Sequence, residues 1–257
     1  MRMTILNKSK NLKIFVESDL TELNMGKIPH HIAIIMDGNR RWSRKKNSPI
    51  FSGHWQGAET LIEIVQAASE LGVKVLTVYA FSTENWTRSE NEVIDLLSLF
   101  EVYLKKKKKL MVEQGVRLST IGDIKSLPKS LQKTIEEVQL STQNCDKIEL
   151  VLAINYGARN EMLRAVKKIC SDICNHKLSV EDLNEKIISS YLDTKTKKDP
   201  DLLIRTSGEL RLSNFMLWQL SYTEVFVTDV LWPDFNKTEL IKAILEYQKR
   251  HRRLGGT

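Results

Sequence analysis

No stretch of this 257-residue chain reads as a Pro/Gly/Ser linker, and with 5 prolines and 11 glycines no composition break divides it. A chain of this size can bury about 70% of its unfolded surface as one unit. A single domain is therefore expected over residues 29–257, with a loose arm or short surface helix over residues 1–28, where apolar positions scatter without period. No apolar run approaches the ~20 residues that span a bilayer, and the N-terminus lacks signal-peptide order, so the expected location is cytoplasmic. Cysteine is scarce: Cys145, Cys170 and Cys174 form no metal-type cluster and read as buried small apolar thiols. Also missing are a G-x-x-x-x-G-K-[ST] loop, a Ser-His-Asp ordering, a Cys-His zinc spacing and any paired aspartate-rich motif. Ordinary nucleotide kinases and hydrolases lose support accordingly.

What is present is positive charge. Lys and Arg number 39 against 32 acidic residues, giving +7, which implies nucleic acid, an anionic membrane surface or phosphorylated substrates. The run Lys105 to Lys109 has no aromatic residues interleaved for base stacking, so it reads as solvated charge, and nucleic acid is not expected as a partner.

Apolar Ile32 to Met36 shows no polar alternation, as suits a strand buried on both faces of a parallel sheet, and it stops at Asp37-Gly38-Asn39. Open α/β sheets bind ligands at that carboxyl edge. Gly38 permits close backbone approach, and Asn39-Arg40-Arg41-Trp42 can open a helix whose free N–H groups favour an anion. With Arg40, Arg41, Arg44, Lys45 and Lys46 around it, that anion is expected to be a phosphate or diphosphate, and Asp37 to be a ligand for bridging Mg²⁺.

The same theme recurs along the chain. A helix over Ala58 to Ala68 stops at Gly72, and a strand from Val73 to Phe81 ends in Ser82-Thr83-Glu84-Asn85-Trp86-Thr87-Arg88. Ser89 and Glu92 have capping-box spacing ahead of a long amphipathic helix. Strands follow at Val116 to Ile121, Ile148 to Ile154, Leu202 to Ile204 and Val225 to Thr228. Helices are expected from Pro128, after Asn155-Tyr156-Gly157-Ala158-Arg159, from Ser179 with Asp182, and from Asn236 with Glu239 to the basic C-terminus. About six strands alternating with helices argue an α/β fold, a mainly parallel sheet covered on both faces.

His-x-Ala-Ile-Ile-Met-Asp-Gly-Asn-x-Arg-Trp resembles the signature of the cis-prenyltransferases, the undecaprenyl diphosphate synthase family. The resemblance extends through Gly53-His54, YAFSTENWTR at Tyr79 to Arg88, NYGAR, and IRTSGELRLSNFMLWQ at Ile204 to Gln219. It implies a Mg²⁺-dependent homodimeric enzyme that condenses isopentenyl diphosphate with an allylic diphosphate, for which farnesyl diphosphate is the expected primer, to make a long polyprenyl diphosphate carrier lipid. It also implies the roles of individual residues. Asp37 resembles the essential metal-linked aspartate and Glu224 a second one. Gly38, Asn39, Arg40, Arg41 and His54 resemble the allylic diphosphate site, with Trp42 packing beside the isoprenoid or closing the loop. Ser82, Thr83, Glu84, Asn85, Trp86 and Arg88 match a loop over the reacting carbons, where Asn85 assists proton removal. Arg205, Arg211, Leu212 and Ser213 look like the clamp on isopentenyl diphosphate.

The chain departs from the family pattern at Ile50, where most relatives carry arginine, and at Leu210, where many carry histidine. Arg40, in place of a glycine, is the candidate for restoring the missing cation. The stripe of the Ser89 helix, with the Ala58 to Ala68 helix, is expected to line a product tunnel near Ala68 and Leu97. Two rival readings are a non-catalytic partner subunit of the same fold, which predicts loss of the DGN aspartate or clamp arginines, and a basic protein binding RNA or anionic membrane. All of those residues are present. Peripheral contact with an anionic membrane is compatible with the enzyme.

Overall fold

The computed structural model describes residues 14–250. In chain order the elements are α1 (Glu17–Leu20), β1 (His31–Ile35), α2 (Asn39–Lys45), α3 (Ile50–Glu70), β2 (Val75–Ser82), α4 (Glu90–Gln114) and β3 (Val116–Ile121). Then come α5 (Lys129–Thr142), β4 (Ile148–Tyr156), α6 (Ala158–Cys174), α7 (Glu185–Tyr191), β5 (Leu202–Arg205), β6 (Glu224–Val227) and α8 (Lys237–Lys249). The six strands form one sheet in the order β3-β4-β2-β1-β5-β6, and every pairing is parallel.

Burial on both faces explains why these strands read as continuous apolar runs. Ile32, Ile34, Leu76, Val78, Leu150 and Leu152 face the larger core, built with α3, α4, α5 and α8. Their alternates Ala33, Ile35, Val75, Val151 and Ala153 face a smaller core with Ala158 of α6, Phe215 and Met216. Among the described residues no helix is long and apolar enough to cross a membrane.

Several features differ from the expectation, among them the cysteines, of which Cys170 and Cys174 are exposed on α6 and Cys145 is half-buried. Of the two readings of the arm, residues 14–28 contain the short helix, α1, rather than a loose segment, and it is anchored: Phe15 and Leu23 are buried in the larger core, and the Ile14 amide donates to Glu70 at 2.8 Å. Ser89 precedes α4 but its side chain makes no capping hydrogen bond, and the Glu92 side chain turns toward Arg88 rather than back to the Ser89 amide. At Ser179 only a short 3-10 turn forms; α7 starts after Asn184, whose side chain accepts from the amides of Lys186 and Ile187. Asn236 does cap α8. The basic end expected beyond Arg250 lies outside the described residues.

Candidate active site

The chain leaves β1 toward β2 on one side and returns to β5 on the other, which makes the carboxyl end of β1 the switch point of the sheet. Ile35 stands in register with Arg205, so Asp37 and the end of β5 are neighbours despite 168 residues between them. Thr206 secures the junction, accepting from the Asp37 amide at 2.9 Å and donating to its carbonyl at 2.6 Å. Gly38, at φ 111°, then turns the chain into α2 so tightly that a Cβ there would lie 2.9 Å from Leu231.

Arg205 is 3% exposed. Its Nη2 donates to Asp37 at 2.9 Å and its Nη1 to Ser213 Oγ at 2.9 Å and to the Arg211 carbonyl. Its Nε is buried without a partner. Ser207, Ser213, Asn214 and Met216 take positive φ, and this succession of left-handed turns curls residues 207–216 back over Arg205. Arg41 reaches the same loop, donating to the Ser207 carbonyl at 3.0 Å and to Glu209 at 3.0 Å, with Asp37 3.7 Å away. Glu209 also receives Arg211 at 2.5 Å. Asp37, Arg41, Arg205, Arg211 and Ser213 therefore share one cluster.

A second carboxylate gathers the neighbouring cations. Glu92 accepts from Arg88 at 2.9 Å, with Arg40 and His54 Nε2 each 3.8 Å from it. Burial pushes His54 down to about 4, with Arg88 reinforcing the shift, so the imidazole is neutral at pH 7. At 3.8 Å the neutral ring makes neither an ion pair nor a hydrogen bond, and Nε2 is left without a partner.

Residues 83–87 form a 3-10 turn closed by Asn85, whose Oδ1 accepts from the Ser82 amide at 3.0 Å. Thr83 donates to Glu84 at 3.2 Å, and Trp86 donates to Asn155 at 2.8 Å. Glu84 accepts from Asn214 at 2.8 Å, tying this turn to the loop over Arg205. Leu212 packs against the smaller core, while Leu210 is 87% exposed.

Beside the polar cluster, α3, α4 and the sheet enclose a narrow apolar cavity of about 90 Å³. Ala58, Leu61, Ala80, Leu96, Phe100 and Leu104 line it, and Asn39 and His54 stand at its polar end. Larger polar hollows of about 340 and 680 Å³ border α7; Trp218 and Gln219, at the end of the last motif, line the smaller of them, but none of the candidate site residues lines either. Polar groups abutting an apolar cavity suit an amphiphile.

Three expectations need correction. Glu224 opens β6 at the amino edge of the sheet, in register with Leu202 and held by Arg250 at 2.8 Å; the strand separates it by roughly 10 Å from the edge that carries Asp37, so within this chain the two carboxylates do not share a site. Trp42 does not line the cavity: its Nε1 donates to Asp234 at 2.7 Å and Lys46 covers its ring. Ala68 and Leu97 are buried in the larger core rather than in the cavity wall. The cavity tryptophan is Trp232, fully buried and donating to the Gly57 carbonyl at 2.8 Å.

A family profile described as "Putative undecaprenyl diphosphate synthase" matches residues 35–255. The chain belongs to this prenyltransferase family. An isoprenyl transferase of Chlamydia trachomatis is 51% identical over 232 residues, covering 89% of this chain and 92% of that protein. Lavandulyl diphosphate synthase from Lavandula x intermedia, solved in complex with dimethylallyl diphosphate, superposes with TM-score 0.88 at 37% identity, over 90% of this chain and 100% of that one. A "probable undecaprenyl diphosphate synthase" from Campylobacter jejuni gives TM-score 0.74 at 34% identity, over 89% and 99% of the two chains.

Proposed function

We propose that this prenyltransferase condenses isopentenyl diphosphate with an allylic diphosphate primer in cis geometry, working as a cytoplasmic homodimer whose long polyprenyl product brings it to the membrane surface. The observation that carries the reading is that Met36 and Asn39, which flank Asp37-Gly38 at the end of β1, line the apolar cavity while Asp37 itself meets Arg205, the one setting suited to a hydrocarbon tail and the other to a diphosphate head.

As the allylic C–O bond breaks, its electron pair leaves with the diphosphate. Cations placed where that charge grows stabilise the transition state more than the bound substrate. Arg41 and the amides at the start of α2 face the allylic diphosphate in this reading, and Arg211 and Ser213 face the incoming one. Arg205 serves both, since it touches Asp37 and Ser213 together and keeps one buried donor for a ligand oxygen. The neutral Nε2 of His54 offers a further polar contact at the cavity mouth.

Among the described residues no three His, Cys, Asp or Glu side chains converge to cage a metal. That fits Mg²⁺, which is usually held by one or two carboxylates together with substrate phosphates and waters. Asp37 is the residue that would hold it, and bound there it would supply charge neutralisation at the departing diphosphate. Asn85 remains the candidate to receive the proton lost on condensation, although its amide oxygen is engaged by Ser82.

The decisive experiment is incubation with farnesyl diphosphate, labelled isopentenyl diphosphate and Mg²⁺, followed by chromatography of the lipid products. Label should move into long polyprenyl diphosphates. Label remaining entirely in isopentenyl diphosphate would overturn the reading and favour a non-catalytic partner subunit.

A further inference from the structure

Exposed apolar side chains and cations share one surface where α2, α3 and α4 meet. Ile50 and Phe51 open α3 at 37% and 43% exposure. The Phe51 ring lies 6.2 Å from Trp55, which stands edge-on to Tyr103 of α4 at 5.9 Å. Above them Lys106 Nζ sits 5.5 Å from the Trp55 ring and Lys107 Nζ 5.3 Å from the Tyr103 ring. The lysine run, which contains no aromatics itself, is thus stacked on those of α3 and of the preceding turn of α4.

More cations border this ledge. Lys105 and Lys109 are exposed on α4. Arg44, Lys45 and Lys46 are exposed at the end of α2, which is pinned to the first turns of α3 where Ser43 Oγ accepts the Gly53 amide at 2.9 Å. Some of the charge is offset: Glu101 holds Lys105 at 2.6 Å, Glu59 holds Lys107 at 3.2 Å, and Glu113 lies 3.8 Å from Lys109. Arg44, Lys45 and Lys106 have no carboxylate within ion-pair distance among the described residues.

We propose that this ledge is the surface on which the protein rests against an anionic bilayer, with Phe51 and the edge of Trp55 entering the headgroup region and the surrounding cations meeting lipid phosphates. It rests on the prenyltransferase reading only in that the product is a lipid. Amphipathic aromatic rings favour the membrane–water interface, and polybasic segments are drawn to anionic leaflets. Charge alone would also suit RNA, but Phe51, Trp55 and Tyr103 contact one another in a continuous series rather than standing apart to receive successive bases.

The test is sedimentation of the full chain with vesicles of phosphatidylcholine alone and of phosphatidylcholine mixed with phosphatidylglycerol. Binding is expected only to the mixed vesicles. Each cation lost should weaken it by about fivefold at low salt, so Lys105→Gln/Lys106→Gln/Lys109→Gln should lose tens-fold or more. Phe51→Ser should also lose about tenfold. Lys167→Gln/Lys168→Gln, on α6 at the opposite face of the sheet, should bind as wild type. All of these variants should elongate primer normally in detergent micelles. An inactive wild type that still binds mixed vesicles through the ledge would count against the enzymatic reading and leave the surface assignment standing. Four results would overturn the assignment: no preference for anionic vesicles, ledge variants that bind undiminished, an equal loss in the α6 control, or polyuridine binding more tightly than the vesicles and displacing them.

Discussion

Arg205 joins residues that the sequence motifs keep apart. Asp37 was legible because an apolar run ends there, and Arg205, Arg211 and Ser213 because their spacing matches a known pattern; that Arg205 touches Asp37 follows only from the parallel pairing of β1 with β5. Glu92, Glu209 and Asn214 were not read as site residues. Their significance lies in partners far along the chain: Glu209 binds Arg41 across 168 residues, and Asn214 binds Glu84 across 130. Asp37→Ala should fold yet lose turnover even at saturating Mg²⁺. Losing one charge-assisted contact costs about 1.5–3 kcal/mol, so Arg211→Ala should weaken isopentenyl diphosphate binding by tens-fold while scarcely changing allylic affinity. Arg205→Ala should weaken both. Titrating each substrate separately against the two variants checks this, and a loss confined to one substrate in Arg205→Ala would break the shared role.

At the scale of elements, helix periodicity located α3 and α4 but not their crossing. In the sequence Gly53 stands out only beside His54, whereas in the fold it is where α2 meets α3: a Cβ there would lie 2.2 Å from the Asn39 carbonyl. Gly57 makes room for Trp232 in the same way, with a Cβ 2.9 Å from its ring. The Ser89–Glu92 box did not form, and local spacing cannot register that Glu92 pairs with Arg88 and lies within ion-pair reach of Arg40. The cavity wall likewise depends on which helix faces meet: Ala58, Leu61, Leu96 and Phe100 line it, and Ala68 and Leu97 do not. Ala58→Phe should shorten the products and spare the first condensation, read by chain-length chromatography; an unchanged distribution in a folded variant would assign that wall to the core alone.

For the molecule as a whole, the sheet was legible because strands buried on both faces carry unbroken apolar sequence. What the pattern hid is the polar minority inside. His31 is fully buried, with Nδ1 2.6 Å from the Lys198 carbonyl and Nε2 2.7 Å from Thr77 Oγ1. A carbonyl only accepts, so Nδ1 carries the proton and Nε2 accepts from Thr77. Burial holds this histidine down to about 4 against an ordinary 6.5. The unfolded chain therefore takes up a proton in that interval that the folded chain refuses: this contribution to stability is complete above pH 6.5 and is lost as pH falls toward 4. Urea midpoints should drop between pH 7 and 5, and His31→Gln, though less stable throughout, should show a shallower drop. The cavity carries a different consequence. At about 90 Å³ it is narrow beside the length of a polyprenyl chain. A polyprenyl product housed there would have to part α3 from α4 as it grew, so its length is expected to follow a force balance in which growth stops where the next unit gains less than the separation costs.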